Sequence, residues 1–180
     1  SDKPIQVIQP KGELVFPLSQ HIGAPAKPLV AKGDTVLAGQ KIAEAGGFIS
    51  ANVICSVSGT VKAIEPRRMV NGAMVPSIIV ENDGEYETVE GVGEDRDPST
   101  LSKDEIRSIV KEAGIVGLGG AGFPTHVKLT PKDENAIDYV IVNGAECEPY
   151  LTSDYRLMVE EPEKLVGGLK VILQLFDNAK

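Results

Sequence analysis

The sequence predicts an α+β chain of two domains. An all-β part spans residues 1–85, a linker spans 86–100, and the beginning of an α/β domain spans 101–180. Three observations predict this. Short apolar runs separated by Gly and Pro fill residues 5–80, which is the pattern of strands and turns. From Leu101 onward the apolar period becomes that of a helix. Between the two, Tyr86 to Thr100 is rich in Glu, Asp and Gly and has no period, as expected of a boundary.

In order, the apolar runs are Ile5 to Ile8, Leu14 to Phe16, Leu29-Val30, Val53 to Val57, Val61 to Ile64 and Val75 to Val80. Two turns flanked by β-branched residues, Val30 to Val36 and Val57 to Val61, read as related hairpin-like units. In the second part Ser102 and Glu105 form a capping box, and Leu101 can staple onto Ile106. Ile106, Ile109, Val110 and Ala113 follow at helical spacing, and Gly114 is placed to end the helix in the left-handed region. Asp138 to Val142 is a short β-branched run, expected as a strand buried on both faces. Pro162 opens a last helix whose stripe is Leu165, Leu169, Ile172 and Phe176. Gly167-Gly168 within it leads us to expect close packing against another element.

Composition narrows the function. The chain has 180 residues, a hydrophobic fraction of 42% and a net charge of −8, a balance unsuited to a nucleic-acid surface. No apolar run approaches the roughly 20 residues of a membrane span, so no direct span is expected. Ser1 to Pro10 lacks the apolar core of a signal peptide, and the chain reads as cytosolic, with any membrane association made through partners. Cys55 and Cys147 form neither a CxxC pair nor an iron–sulfur ligand set. No metal site is expected, and packing or surface roles are expected for His21 and Cys55.

The most unusual stretch is Gly117 to Lys128, with four glycines in six positions. Backbone without Cβ atoms can approach a ligand closely, and successive N–H groups make an anion site. Gly117, Gly119 and Gly122 satisfy GxGxxG, but a helix rather than a strand precedes them, so the usual dinucleotide fingerprint is rejected. Lys128 can neutralise a phosphate. After the expected strand, Asn143 suits the edge of a heteroaromatic ring, and Glu146 and Glu148 offer acceptors to ribityl, ribose or amide groups. No general acid or base is assigned.

Two resemblances follow from these residues. Lys32-Gly33-Asp34 with Gly39-Gln40 and Ile42, then Ser58-Gly59-Thr60-Val61, resembles the biotinyl/lipoyl-like barrel-sandwich hybrid domains. Residues 44–52, where a carrier bears its modified lysine, contain none, so a carrier role is excluded. Gly117 to Thr125, then Asn143 to Pro149, then Asp154 to Met158 closely resemble the RnfC family, one of the subunits of Rnf electron-transport complexes. They are more distantly similar to the flavin-binding subunit of respiratory complex I. The likeness runs from about Pro17 to Glu160 and includes Leu18 to Pro25.

The resemblance implies a peripheral subunit on the cytoplasmic face of the bacterial inner membrane. It would bind FMN and NAD(H) and pass electrons through [4Fe–4S] clusters whose ligands lie outside this chain. Its partners would be the other Rnf subunits, with ferredoxin as redox partner of the complex. By motif, Gly117, Gly119, Gly120, Ala121 and Gly122 would line FMN, with Lys128 near its phosphate and Asn143 and Glu146 at the flavin. Phe123 and Glu148 would face NAD(H). Leu118 and Ala145 depart from the complex I pattern, which has arginine and aspartate there. A second flavin loop is expected beyond residue 180, so the chain is expected to be part of a longer protein. A docking module without catalysis and a nucleotide-binding domain without redox chemistry remain as alternatives.

Overall fold

The computed structural model describes residues 3–118 and 120–180. They form two compact units. One comprises Gln9–Arg96 and Ser108–Lys128, and the other comprises Ser1–Ile8, Asp97–Arg107 and Leu129–Lys180.

The first unit is a β-sandwich. Its strands are β1 (Glu13–Pro17), β2 (Lys27–Pro28), β3 (Thr35–Val36), β4 (Lys41–Glu44), β5 (Val53–Ile54), β6 (Gly59–Arg68) and β7 (Met74–Asn82). They make a four-stranded sheet in the order β1-β7-β6-β3 and a three-stranded sheet in the order β2-β4-β5. All pairings are antiparallel. Alternation along the strands sends Phe16, Val36, Val61, Ile78 and Val80 inward from one sheet. They meet Ile42, Ala43 and Val53 of the other in one buried cluster. Burying such side chains contributes about 1.5–3 kcal/mol each.

The two turn units are not hairpins in their own right. They pair with each other instead: Gly33 N–H donates to Val61 O (2.8 Å), Val61 N–H donates to Asp34 O (2.8 Å), and Thr35 lies opposite Thr60. Gly59 has φ +155°, and a Cβ there would stand 2.0 Å from Glu81 O.

The lysine-free loop between β4 and β5 is folded inward. Ser50, Ala51 and Asn52 are buried. Ser50 donates to Ala24 O (2.7 Å), and Ala51 N–H donates to His21 Nε2 (3.2 Å). His21 Nδ1 donates in turn to Ile22 O (3.1 Å), which fixes the Nδ1–H tautomer. Cys55 is buried too; desolvation pushes its thiol up, and Sγ donates to Val57 O. Both side chains have the packing roles expected of them.

Helix α1 (Lys103–Glu112) begins as its sequence dictates. Ser102 N–H and Oγ–H both donate to Glu105 Oε2 (2.8 and 2.7 Å), closing the capping box. At the other end Gly114 takes φ +64°. Asn52 of the sandwich reaches this terminus: Nδ2 donates to Lys111 O (3.2 Å) and Glu112 O (3.4 Å), and Oδ1 accepts from Ala45 N–H (2.9 Å). Lys41 pairs with Glu112 beside it (2.6 Å).

The second unit holds the short helix-like turns Pro98–Thr100 and Glu134–Ala136, and the helices α3 (Ser153–Glu160) and α4 (Pro162–Leu173). α2 (Thr125–Lys128) belongs to the first unit. Arg107 donates to Leu129 O (2.9 Å) and pairs with Glu134. Ile106, Leu129, Leu175 and Phe176 are its buried apolar residues.

Two expectations are corrected. Asp138 to Val142 is not a strand: Tyr139 and Ile141 are 68% and 86% exposed. A strand needs partners for its backbone, and among the described residues this run has a single rung. Lys180 N–H donates to Asp138 O (3.0 Å) and Val140 N–H to Lys180 O (3.2 Å), the spacing of a parallel pair. Ile5 to Ile8 is likewise extended without a partner strand among the described residues, and Ile5 N–H goes to the Glu160 carboxylate. The element expected to pack on Gly167 and Gly168 is not among the described residues: both are exposed, and added Cβ atoms would meet nothing within 4 Å there.

Replacing Asn52 tests how far the sandwich holds α1. Asn52→Ala removes a donor from two helix-end carbonyls and strands the Ala45 N–H. It should lower unfolding free energy by about 1–3 kcal/mol, read from urea midpoints at unchanged slope. Asn52→Asp should cost at least as much, since a carboxylate then faces two carbonyls.

Candidate functional site

The glycine stretch is a loop on a narrow base. Val116 bridges Pro124 in antiparallel sense, Gly117 N–H donates to Phe123 O (3.0 Å), and Thr125 N–H donates to Ile115 O (2.9 Å). These bonds close the chain on itself and leave the residues between them to form the loop. Its outgoing arm rests on the sandwich. Ile22 N–H donates to Ala121 O (3.0 Å), and Gly122 is buried at φ +63° with space for no side chain. A Cβ there would lie 2.7 Å from Gln20 O and 3.1 Å from the His21 Cα. The incoming arm is fixed at Gly114, where a Cβ would lie 2.5 Å from Asn52 O.

Between the loop and residues 19–22 lies an open groove of about 570 Å³. Gly117, Gly120 and Ala121 form one wall and Ser19, Gln20 and Ile22 the other. Among the described residues no acidic side chain lines it, in a chain with 26 Asp and Glu against 18 Lys and Arg. A Cβ on Gly120 would meet nothing within 4 Å, and one on Gly117 would make only ordinary contact at 3.8 Å. Glycine at these two positions therefore answers no packing need of the described protein. Leu118 at the groove is 95% exposed.

The remaining candidates are placed as follows. Gly119 lies outside the described residues. Phe123 is half-buried and uses its carbonyl at the loop base. Lys128 is exposed at the end of α2. Near it, burial and then the charge of Lys111 push the His126 imidazole below its ordinary value. In the other unit Asn143 Oδ1 accepts from Ala145 N–H (3.0 Å) and holds a tight turn. Glu146 is committed to α3: Oε1 accepts from Tyr155 N–H (3.0 Å) and Oε2 from Ser153 Oγ–H (3.4 Å). Thr152 makes no side-chain cap there, so Glu146 supplies one from outside the helix. Glu148 is exposed. Tyr150, also exposed, takes φ +70°. The loop residues and Asn143 to Glu148 fall in different units. No three His, Cys, Asp or Glu among the described residues are grouped to hold a metal.

Family models match on both sides of this geometry. Residues 1–85 match the RnfC barrel sandwich hybrid domain, and residues 110–180 match the Nuo51 FMN-binding domain. The second match contains the whole glycine loop. The two parts of the chain thus resemble an RnfC barrel sandwich hybrid domain and a Nuo51 FMN-binding domain. The chain is 44% identical over 180 residues to a subunit of the proton-translocating ferredoxin:NAD(+) oxidoreductase complex of Clostridium ljungdahlii, covering 100% of this chain and 39% of that protein. It is 48% identical over 167 residues to the Na(+)-translocating counterpart of Acetobacterium woodii, covering 89% of this chain and 36% of that protein. It is 40% identical to the equivalent member of the ion-translocating oxidoreductase complex of Pseudomonas aeruginosa, covering 96% of this chain and 22% of that protein. The chain thus spans well under half the length of these relatives. No helix of the described residues is long and apolar enough to cross a membrane.

Sequence reasoning missed Ser19 and Gln20 as a wall of this groove, and Asn52 as the residue that holds the end of α1 before the loop. The first two lie in the Leu18 to Pro25 stretch that supported the family likeness, but nothing periodic or chemical in that stretch links it to residues 117–122. Gly120→Ala should leave stability unchanged or raise it by about 0.5 kcal/mol, since a Cβ has space there and unfolded-chain entropy falls. Gly122→Ala should lower it by more than about 1 kcal/mol, from the left-handed φ and the contact with Gln20 O. Thermal unfolding of the two variants beside the parent checks the contrast.

Proposed function

We propose that the protein serves as the flavin- and nicotinamide-binding part of the RnfC subunit in an ion-translocating ferredoxin:NAD oxidoreductase. The observation that carries this reading is the groove under the glycine loop, lined by no described carboxylate and lying inside the region that matches an FMN-binding domain. FMN fits the residues present. Gly117 and Gly120 offer open backbone, and Lys128 follows within the same unit as a point charge for phosphate.

When bound, FMN supplies the exchange between two-electron hydride chemistry and single-electron transfer. The chain's own residues bind and orient. Gly117, Gly120, Ala121 and Gly122 shape the cradle, with Gly119 as the remaining member of the motif. Asn143 serves the flavin side, and Phe123 and Glu148 serve NAD(H). Glu146 acts by holding the Asn143 to Pro149 turn against α3, because its carboxylate oxygens are already engaged there. No side chain is assigned a proton to move, and none is required for hydride transfer between two bound rings.

The same reading puts the protein peripherally on the cytoplasmic face of the membrane, held by the other subunits. Ferredoxin is the redox partner of the assembly, and [4Fe–4S] clusters are bound by residues outside this chain. In the complete subunit, titration of FMN should show saturable binding that quenches its fluorescence. Gly120→Val should abolish binding without lowering the melting temperature, because the added bulk meets the ligand and not the protein. Failure of the complete parent subunit to bind FMN would remove the proposal.

A further inference from the structure

The role of the sandwich is the feature that the functional reading leaves unused, and the groove gives it one. Ser19 and Gln20 belong to the sandwich, yet they form the wall opposite the glycine loop. Both side chains are exposed, and neither hydrogen-bonds another described residue. The wall cannot swing away freely, since Ile22 N–H is bonded to Ala121 O and the Gly122 Cα sits against Gln20 O. His21, next in the chain, is buried and bonded at both ring nitrogens, which holds the backbone of the segment in place. The segment is therefore rigid backbone presenting two unpartnered polar groups to a groove.

We propose that Ser19 and Gln20 are ligand-binding residues, so that the N-terminal sandwich completes the flavin groove. This inference rests on the FMN reading above. Its chemistry is specific. A hydroxyl and a primary amide donate and accept but carry no charge. They suit a polyol chain or the amide edge of a flavin ring, whereas the phosphate is served by the cation Lys128. The two walls thus divide the ligand: backbone and cation for the anionic end, neutral polar side chains for the rest.

The test compares FMN with riboflavin, which lacks the phosphate, in the complete subunit freed of flavin. Gln20→Ala should weaken both ligands by about tenfold, the loss of one ligand hydrogen bond. Lys128→Ala should weaken FMN by about tenfold and leave riboflavin within about twofold, since only FMN offers the cation a phosphate. Ser19→Ala is the second variant at the same wall, expected to weaken both ligands in parallel. Melting temperatures should stay at the parent value, because both side chains are exposed and unbonded. If the parent binds FMN and both Ser19→Ala and Gln20→Ala bind it as tightly as the parent does, the wall is not part of the site, while the FMN reading stands. If Gln20→Ala weakens FMN alone, its partner is the phosphate and the division of the ligand is wrong. A parent that binds neither flavin overturns both the wall and the reading on which it rests.

Discussion

The bonds of Asn52 to the end of α1 are the constraint on which the glycine loop depends. A helix C-terminus leaves its last carbonyls without partners, and in this chain the αL turn at Gly114 follows at once. Asn52 serves two of those carbonyls with one amide nitrogen and anchors itself through Ala45 N–H. The chain then leaves Gly114 with its Cα against Asn52 O, so the direction in which residues 115–117 emerge is set by the sandwich. The other end of the loop is set by the same body through Gly122 and Ile22. A ligand cradle made of backbone needs this more than one made of side chains, because its N–H groups can be aimed only by fixing the chain on both sides.

In this arrangement the lysine-free sandwich fixes both arms of the glycine loop. The β4–β5 connection that a carrier displays to its partner enzymes is here drawn down over residues 21–26. Ser50 and Ala51 bond Ala24 and His21, and a Cβ on Gly46 would stand 2.0 Å from Pro25 O. Carrying and bracing are alternatives for one loop: a tethered cofactor needs a free tip, whereas a brace needs buried polar contacts. Residues 47–49 remain exposed at its tip.

Local signals were legible in the sequence, and long-range ones were not. The capping box at Ser102, the helix that follows and the terminating Gly114 stand as expected, because each depends on residues within a few positions of one another. Strands β1, β5, β6 and β7 fall on apolar runs picked out by their punctuation, whereas β2 and β4 do not and Leu29-Val30 forms no strand. The pairing of Gly33-Asp34 with Val61 was not, since nothing in either turn says that its partner lies so far along the chain. The run from Asp138 to Val142 has strand composition but, among the described residues, only Lys180 to bond, so composition without a neighbour leaves it extended and exposed. At the groove, the motif singled out the glycine loop that forms one wall. It did not reveal Ser19 and Gln20, which enter only through tertiary contact.

Glu146 shows how a motif residue can be engaged within its own unit, by the start of a helix. Its carboxylate accepts from Tyr155 N–H and Ser153 Oγ–H, so a negative charge already occupies the N-terminus of α3. The partial positive charge of that terminus is thereby answered from within the chain and is not left to attract a phosphate. The groove of the glycine loop, by contrast, is lined by no described carboxylate, which suits the anionic ligand proposed for it. The same bonds tie the turn held by Asn143 to the start of a helix, and a turn so tied presents Asn143 and Glu148 from a fixed backbone. In a chain of net charge −8, the placement of carboxylates decides where an anion can bind, and Glu146 closes one of the places that backbone dipoles would otherwise provide.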